Sequence, residues 1–212
     1  MANDKRIKDI NRKWVYAYIF CHIIIFSIFV GVISPAFSDV EQLLSKLKSP
    51  SGFLPLILYP LAIIFDGLLS DNMKHIIVFR RIKDPLPGMR AFSYIADKDP
   101  RIDFEKIKIL FPQGIPTAPK DQNTKWYSLF EKYEDIDIIR ESHKLFLLTR
   151  DFAALTLIFL PICIVGHFFW NSPLNVIIYH TFFLLFLFVG ISISAKHYGE
   201  AFVANVLVEA TR

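Results

Sequence analysis

The sequence predicts an all-α membrane protein: four transmembrane helices, with a mostly helical cytoplasmic insert between the second and the third. Three observations carry this reading. Four apolar stretches, Trp14–Ser34, Phe53–Ser70, Phe152–Trp170 and Leu174–Ala195, run 18–22 residues each and hold no more than one carboxylate apiece. A helix rises about 1.5 Å per residue, so each can cross a hydrocarbon core of roughly 30 Å. Aromatic residues reach 15%, with 21 Phe, which suits lipid-facing helices better than the interior of a water-soluble domain. Lys and Arg alternate between the connecting segments, as orientation in a bilayer requires.

The first segment opens with Lys5, Arg6, Lys8, Arg12 and Lys13. A basic lead into an apolar run has the look of a secretion signal. Its length, and the weak small-residue pattern of Val32–Ser38, favour a retained first span. Trp14, Tyr16 and Tyr18 stand at the start of that span, where amphipathic rings favour the headgroup level. The connector Pro35–Gly52 carries only Lys46 and Lys48.

Span two contains Pro55, Pro60 and Gly67, so a bent helix is expected. It also carries the one intramembrane carboxylate, Asp66. An ionisable residue in a span is a functional candidate, here a charge on a cation path. The competing reading is solvation at the interface, or an ion pair with Lys74 or Arg150.

Residues 71–150 hold 15 basic and 12 acidic residues, a balance that suits a folded or assembled surface more than a polybasic tail. Met73–Phe79 is a short apolar run that fits either a continuation of span two or a strand. The stretch Pro85-Leu-Pro87-Gly88 demands a turn, its flanking arginines Arg80, Arg81 and Arg90 give that turn an anion-binding character, and Phe92 and Tyr94 add flat faces. Pro100–Leu110 has a proline start, early acids and late lysines, which predicts a short helix. Three prolines and a glycine make Phe111–Thr124 a loop. From Lys125 to Arg150 the pattern is helical, with Trp126, Phe130, Tyr133 and Asp137 continued by Ile138, Glu141, Leu145 and Leu148, and it runs on into span three.

The connector Asn171–Pro173 is uncharged, and Trp170 anchors the end of span three. Gly190 and Ser194 in span four are a small pair one turn apart, which permits close helix approach. The tail Lys196–Arg212 is amphipathic. The divisions expected are 1–70 (N-terminal tail and helices 1–2), 71–150 (insert), 151–195 (helices 3–4) and 196–212 (tail). The charges place both termini and the insert in the cytoplasm.

No nucleophile, phosphate-loop or metal-ligand motif is present, so neither an enzyme nor a metal or other cofactor is expected. His75 and His143 read as ordinary surface residues. His22, His167 and His180 lie in spans, where interhelical hydrogen bonding is the expected role. Cys21 and Cys163 also lie in spans and read as small apolar fillers. What the insert does offer is cations beside flat rings. Arg90 with Phe92, and Lys120, Asn123 and Lys125 with Trp126 and Tyr127, would combine phosphate pairing with base stacking. The competing reading packs Trp126, Phe130 and Tyr133 as helix core and leaves the lysines in solvent.

In layout the chain resembles the small four-span membrane subunits of bacterial anti-phage systems: two spans, an insert of about 80 residues, then two spans. The segments Pro85–Ser93 and Gln122–Tyr127 look like family signatures. The greatest similarity is to the Hailong-type membrane effectors, and the Kiwa membrane subunits come next. The first resemblance implies a homotetrameric channel in the bacterial inner membrane, gated by a DNA oligomer or nucleotide from a partner enzyme encoded nearby. The second implies a non-conducting sensor that docks a soluble DNA-binding partner.

Overall fold

The computed structural model describes residues 2–31, 60–61, 63–64 and 67–212. Its described backbone is helical, with no strand. The helices are α1 (Ala2–Phe29), α2 (Asp71–Phe79), α3 (Phe104–Leu110), α4 (Pro119–Tyr133), α5 (Asp137–Phe169) and α6 (Leu174–Ala210). Between α2 and α3 the chain winds as a 3₁₀ turn at Pro87–Arg90, a π turn at Ala91–Ile95 and a short α turn at Ala96–Lys98. Three helices are long and apolar enough to cross a membrane: α1 from Asp9, α5 and α6. Most of the second apolar stretch lies outside the described residues, and so does Asp66.

Local chemistry sets the helix limits. After α1, Gly31 takes a left-handed φ of 72°, a conformation that glycine adopts without steric penalty. Asp103 caps α3, its carboxylate accepting from the Glu105 and Lys106 amides. That helix therefore begins four residues after Pro100, which lies outside it. Pro119 occupies the first position of α4, where its missing N–H would have had no partner in any case. Lys120, Gln122 and Asn123 are thus helical, correcting the expected loop at Phe111–Thr124. Asn171, with φ 47°, turns the chain ahead of Pro173 between α5 and α6.

The long helices exceed a bilayer. At about 1.5 Å per residue, α5 and α6 extend to roughly 50 and 55 Å, against a hydrocarbon core of about 30 Å. Their surplus ends carry the charges, from Asp137 to Arg150 in α5 and from Lys196 to Glu209 in α6. The chain divides there into two compact units. One, the polar unit, gathers Met1–Asn11, Asp71–Arg150 and Ser192–Arg212; the other, the apolar unit, comprises Arg12–Ser70 and Asp151–Ile191.

In the polar unit the last part of α6 is the central strut. Phe202, Val203, Ala204, Asn205, Val206 and Leu207 are all buried, so every side of the helix is covered. An amphipathic tail is not what the structure has here. Trp126 and Phe130 of α4 and His143 and Phe146 of α5 set their rings against Phe202, and Val78, Phe79, Phe92, Ile95, Ile107, Ile139 and Leu147 are buried in the same unit. On α5 the buried face is Ile139, Ser142, His143, Phe146, Leu147 and Arg150, whereas Ile138 is 54% exposed. The inward face is therefore rotated by about one position from the expected stripe of Ile138, Glu141, Leu145 and Leu148.

His75 and His143 are buried, not surface residues. Met73–Phe79 is helix, which removes the strand alternative. Asn11 joins α1 to this unit by donating to the Lys144 carbonyl at 3.0 Å.

The apolar unit packs Ile19, Ile23 and Phe26 of α1 against Leu155, Phe159 and Cys163 of α5 and Leu184 of α6. Specific polar contacts join the described helices of this unit. The Tyr18 and Thr156 hydroxyls lie 2.7 Å apart, and His167 Nε2 lies 2.9 Å from His180 Nδ1. That histidine pair is the expected interhelical hydrogen bond. His22 instead bonds within its own helix, to the Tyr18 carbonyl, and stacks on Phe159. Gly166 lets Phe26 approach so closely that a Cβ would meet its ring at 2.8 Å, whereas Gly190 has no neighbour so near.

Candidate functional site

Three cavities lined by described residues of the polar unit differ in chemistry. The first, about 320 Å³, is lined by Arg81, Lys83 and Asp84, then Met89, Arg90 and Ser93, and finally Thr117, Pro119 and Gln122. Three cations face one carboxylate. Burial, and next the Arg90 guanidinium, both hold Arg81 below the usual arginine range. Glu200 and Tyr94 act in the opposite sense on it more weakly. Arg90 lies over the Tyr94 ring, 4.2 Å from its centroid, a cation–π contact that fixes its plane.

The second cavity, about 290 Å³, is aromatic. Leu86, Pro87, Gly88, Asn123, Trp126, Tyr127, Phe130, His143, Phe146 and Phe202 form most of its wall, with Asp71, His75 and Arg150 at its polar part. Arg150 is buried and donates to Asp71 at 3.1 Å. Burial of a guanidinium demands such a partner. The third cavity, about 410 Å³, contains Lys98, Asp99, Arg101 and Glu200, whose charges answer one another. Arg101 donates to Asp99 at 2.7 Å, and Lys98 stands 3.9 Å from Glu200. That pairing leaves little field for a charged ligand.

The residues expected to bind ligand fall into separate places. Arg90 lines the basic cavity, while Asn123, Trp126 and Tyr127 line the aromatic one. Lys120 and Lys125 are exposed on α4 and line neither. Phe92 is 2% exposed and meets Phe111 edge-on, so it presents no face to a ligand. Trp126 is 5% exposed: Phe130 lies parallel to its ring, Phe202 meets it edge-on, and its indole N–H donates to the Val203 carbonyl. Phe92 and Trp126 therefore pack in the core of the polar unit, as the competing reading has it for Trp126, and neither ring has a face open to a base in this structure. Asp66 lies outside the described residues.

Sequence reasoning missed Gln122 and Thr117. Gln122 is 1% exposed; its Oε1 accepts from the Phe92 and Ser93 amides at 3.1 Å each, and its Nε2 donates to the Thr117 carbonyl at 2.9 Å. One buried amide thereby ties α4 to both chain segments that flank the basic cavity. Its signal was present: Gln122, Trp126 and Phe130 stand four residues apart, a stripe that forms one helix face. No group of three or more His, Cys, Asp or Glu side chains among the described residues could hold a metal ion.

The chain matches no known protein family, no curated protein and no solved structure in these comparisons.

Proposed function

We propose that the chain is a membrane effector: an assembly of several copies whose polar units bind an anionic ligand and thereby control an ion path through the bilayer. The supporting observation is the continuity of α5 and α6. Phe146 and Leu147 belong to the polar core and Leu155 and Phe159 to the apolar core, yet all four lie on one unbroken helix. The same holds in α6 for Leu184 and for Phe202 through Leu207. A ligand that favours one arrangement of the polar core displaces helices that are themselves membrane spans, and it shifts a closed–open equilibrium by its differential affinity.

Several copies are needed because so few helices cannot enclose a pore, and closed cyclic symmetry is the default for such assemblies. The basic residues near the spans favour a cytoplasmic polar unit. On the resemblance of layout, the setting is the bacterial inner membrane and the purpose anti-phage defence, where opening would depolarise the cell.

The experiment is conductance of the purified full chain in a planar bilayer, recorded with and without oligonucleotide or mononucleotide. A ligand-dependent step in current is the expected result. A silent bilayer in both conditions, with binding retained, would replace this reading by a non-conducting sensor that docks a soluble partner.

A further inference from the structure

We propose that the cavity formed by Arg81, Lys83, Arg90, Ser93, Thr117 and Gln122 is a binding site for a phosphomonoester group. This deepens the reading above, on which it rests for its regulatory meaning, by assigning the ligand's chemistry and the residues that meet it.

Charge comes first. Arg81, Lys83 and Arg90 against Asp84 leave the cavity lining with a surplus of two positive charges. Among the described residues neither guanidinium stands within salt-bridge distance of a carboxylate. Folding thus brings two guanidinium groups to one cavity whose lining holds a single carboxylate, Asp84. A protein surface gains nothing from such a pair unless something neutralises it. The nearby third cavity shows the contrast, since Arg101 and Lys98 there each stand within ion-pair distance of a carboxylate, Asp99 and Glu200.

Rigidity comes second. The loop that carries Arg81 and Lys83 is bounded by two non-glycine residues in left-handed backbone, Arg80 at φ 53° and Asp84 at φ 54°. Such residues are uncommon, and they persist where the surroundings over-determine them. Across the cavity, Gln122 holds the Ser93 amide and the Thr117 carbonyl at fixed positions, while Tyr94 supports Arg90. The Ser93 and Thr117 side chains add hydroxyls, which donate to phosphate oxygens. Both walls are therefore set before a ligand arrives, which lowers the entropy lost on binding.

Size and charge select the class. A phosphomonoester carries about −1.5 to −2 at pH 7, matching the surplus, and guanidinium forks pair phosphate oxygens in a bidentate way. A cavity of about 320 Å³ holds one phosphate with a small attached group, not a run of nucleotides. The phosphate could belong to a soluble molecule or to a phosphatidic acid headgroup, which present the same chemistry.

The test uses the full chain in phospholipid-free detergent. Binding and thermal stabilisation are measured with inorganic phosphate, AMP and adenosine, and in parallel with nanodiscs of phosphatidylcholine alone or doped with phosphatidic acid. Expected is stabilisation by inorganic phosphate and AMP and none by adenosine, with affinity rising between pH 5 and pH 7 as the phosphate takes its second charge. Arg81→Ala and Arg90→Ala should each weaken AMP at least tenfold, and Lys125→Ala should leave it unchanged. Ser93→Glu keeps an exposed position exposed while placing a carboxylate at the rim, so it should abolish binding with unaltered circular dichroism. A preference for phosphatidic acid nanodiscs over soluble phosphate assigns the site to lipid. The proposal is overturned if no phosphomonoester binds, or if AMP binds equally to Arg81→Ala, Arg90→Ala and Ser93→Glu. Current that responds to ligand but not to these variants would sink the site alone, whereas binding without current would sink the channel reading alone.

Discussion

The indole nitrogen of Trp126 donates to the main-chain carbonyl of Val203 at 3.3 Å, joining two residues 77 positions apart in the chain. That hydrogen bond fastens α4 to the most buried part of α6, and the ring that makes it lies parallel to Phe130 and meets Phe202 edge-on. The relationship assigns Trp126 to stability, and it fixes how substitutions there should be interpreted.

Trp126→Phe keeps most of the packing and loses the donor, so it should lower stability by about 0.5–1.5 kcal/mol. Trp126→Ala removes the packing as well and should cost about 3–5 kcal/mol. Denaturant titration of the two variants, followed by near-ultraviolet circular dichroism, checks both. Equal stability of Trp126→Ala and the parent chain would mean that the ring is not core.

Gly88 is sterically obligatory. A Cβ there would stand 2.6 Å from Trp126 Cε3, within a 3₁₀ turn already fixed by Pro87. Gly88→Ala should destabilise the polar unit by about 1–3 kcal/mol through overpacking. Thermal unfolding in detergent measures it, and Gly190→Ala, whose added Cβ meets nothing within 4 Å among the described residues, is the control.

His167 and His180 share a buried hydrogen bond of 2.9 Å. Single replacements by alanine and the double replacement form a cycle whose coupling energy should fall near 0.6–2 kcal/mol, the range for such pairs in membrane proteins. Strict additivity would show that the two rings do not act on each other.

Asp99 titrates below the usual carboxylate range, chiefly because the Arg101 side chain hydrogen-bonds its charged form. The folded pKa is the lower one, so the stabilisation is complete above the ordinary carboxylate value of about 3.9. It is lost as pH falls through the depressed folded value. Asp99→Asn should therefore reduce stability at neutral pH and leave it unchanged at the acid extreme. Stability curves against pH for the two chains, parallel throughout, would contradict this.

Much of this was legible in the residues. Hydropathy found the three long apolar helices, the run of Asn171–Pro173 found the tight connector, and Pro85–Gly88 with its flanking arginines found the basic turn. What escaped did so for physical reasons. Pro119 reads equally as loop punctuation or as the first residue of a helix, and only the helix that follows decides. The inward face of α5 escaped because it is set by Phe202 and its neighbours, which lie 60 or so residues away and whose own burial no local pattern announces. Phe92 and Trp126 escaped in the same way. A ring beside a cation looks like a ligand platform until the partner that covers it is known. Gln122 carried a visible signal in its four-residue spacing from Trp126, but a polar residue on such a stripe is easily assigned to its edge.

The buried stretch from Phe202 to Leu207 imposes an order on biosynthesis. A ribosome delivers residues 71–150 first, then feeds α5 and most of α6 to the insertion machinery, and only afterwards releases the strut around which that earlier segment must close. Until then the half-made product displays Phe79, Trp126 and Phe146 to chaperones and proteases. Maturation is thereby coupled to correct insertion: copies whose last two apolar helices fail to enter the lipid should be degraded before the polar unit closes.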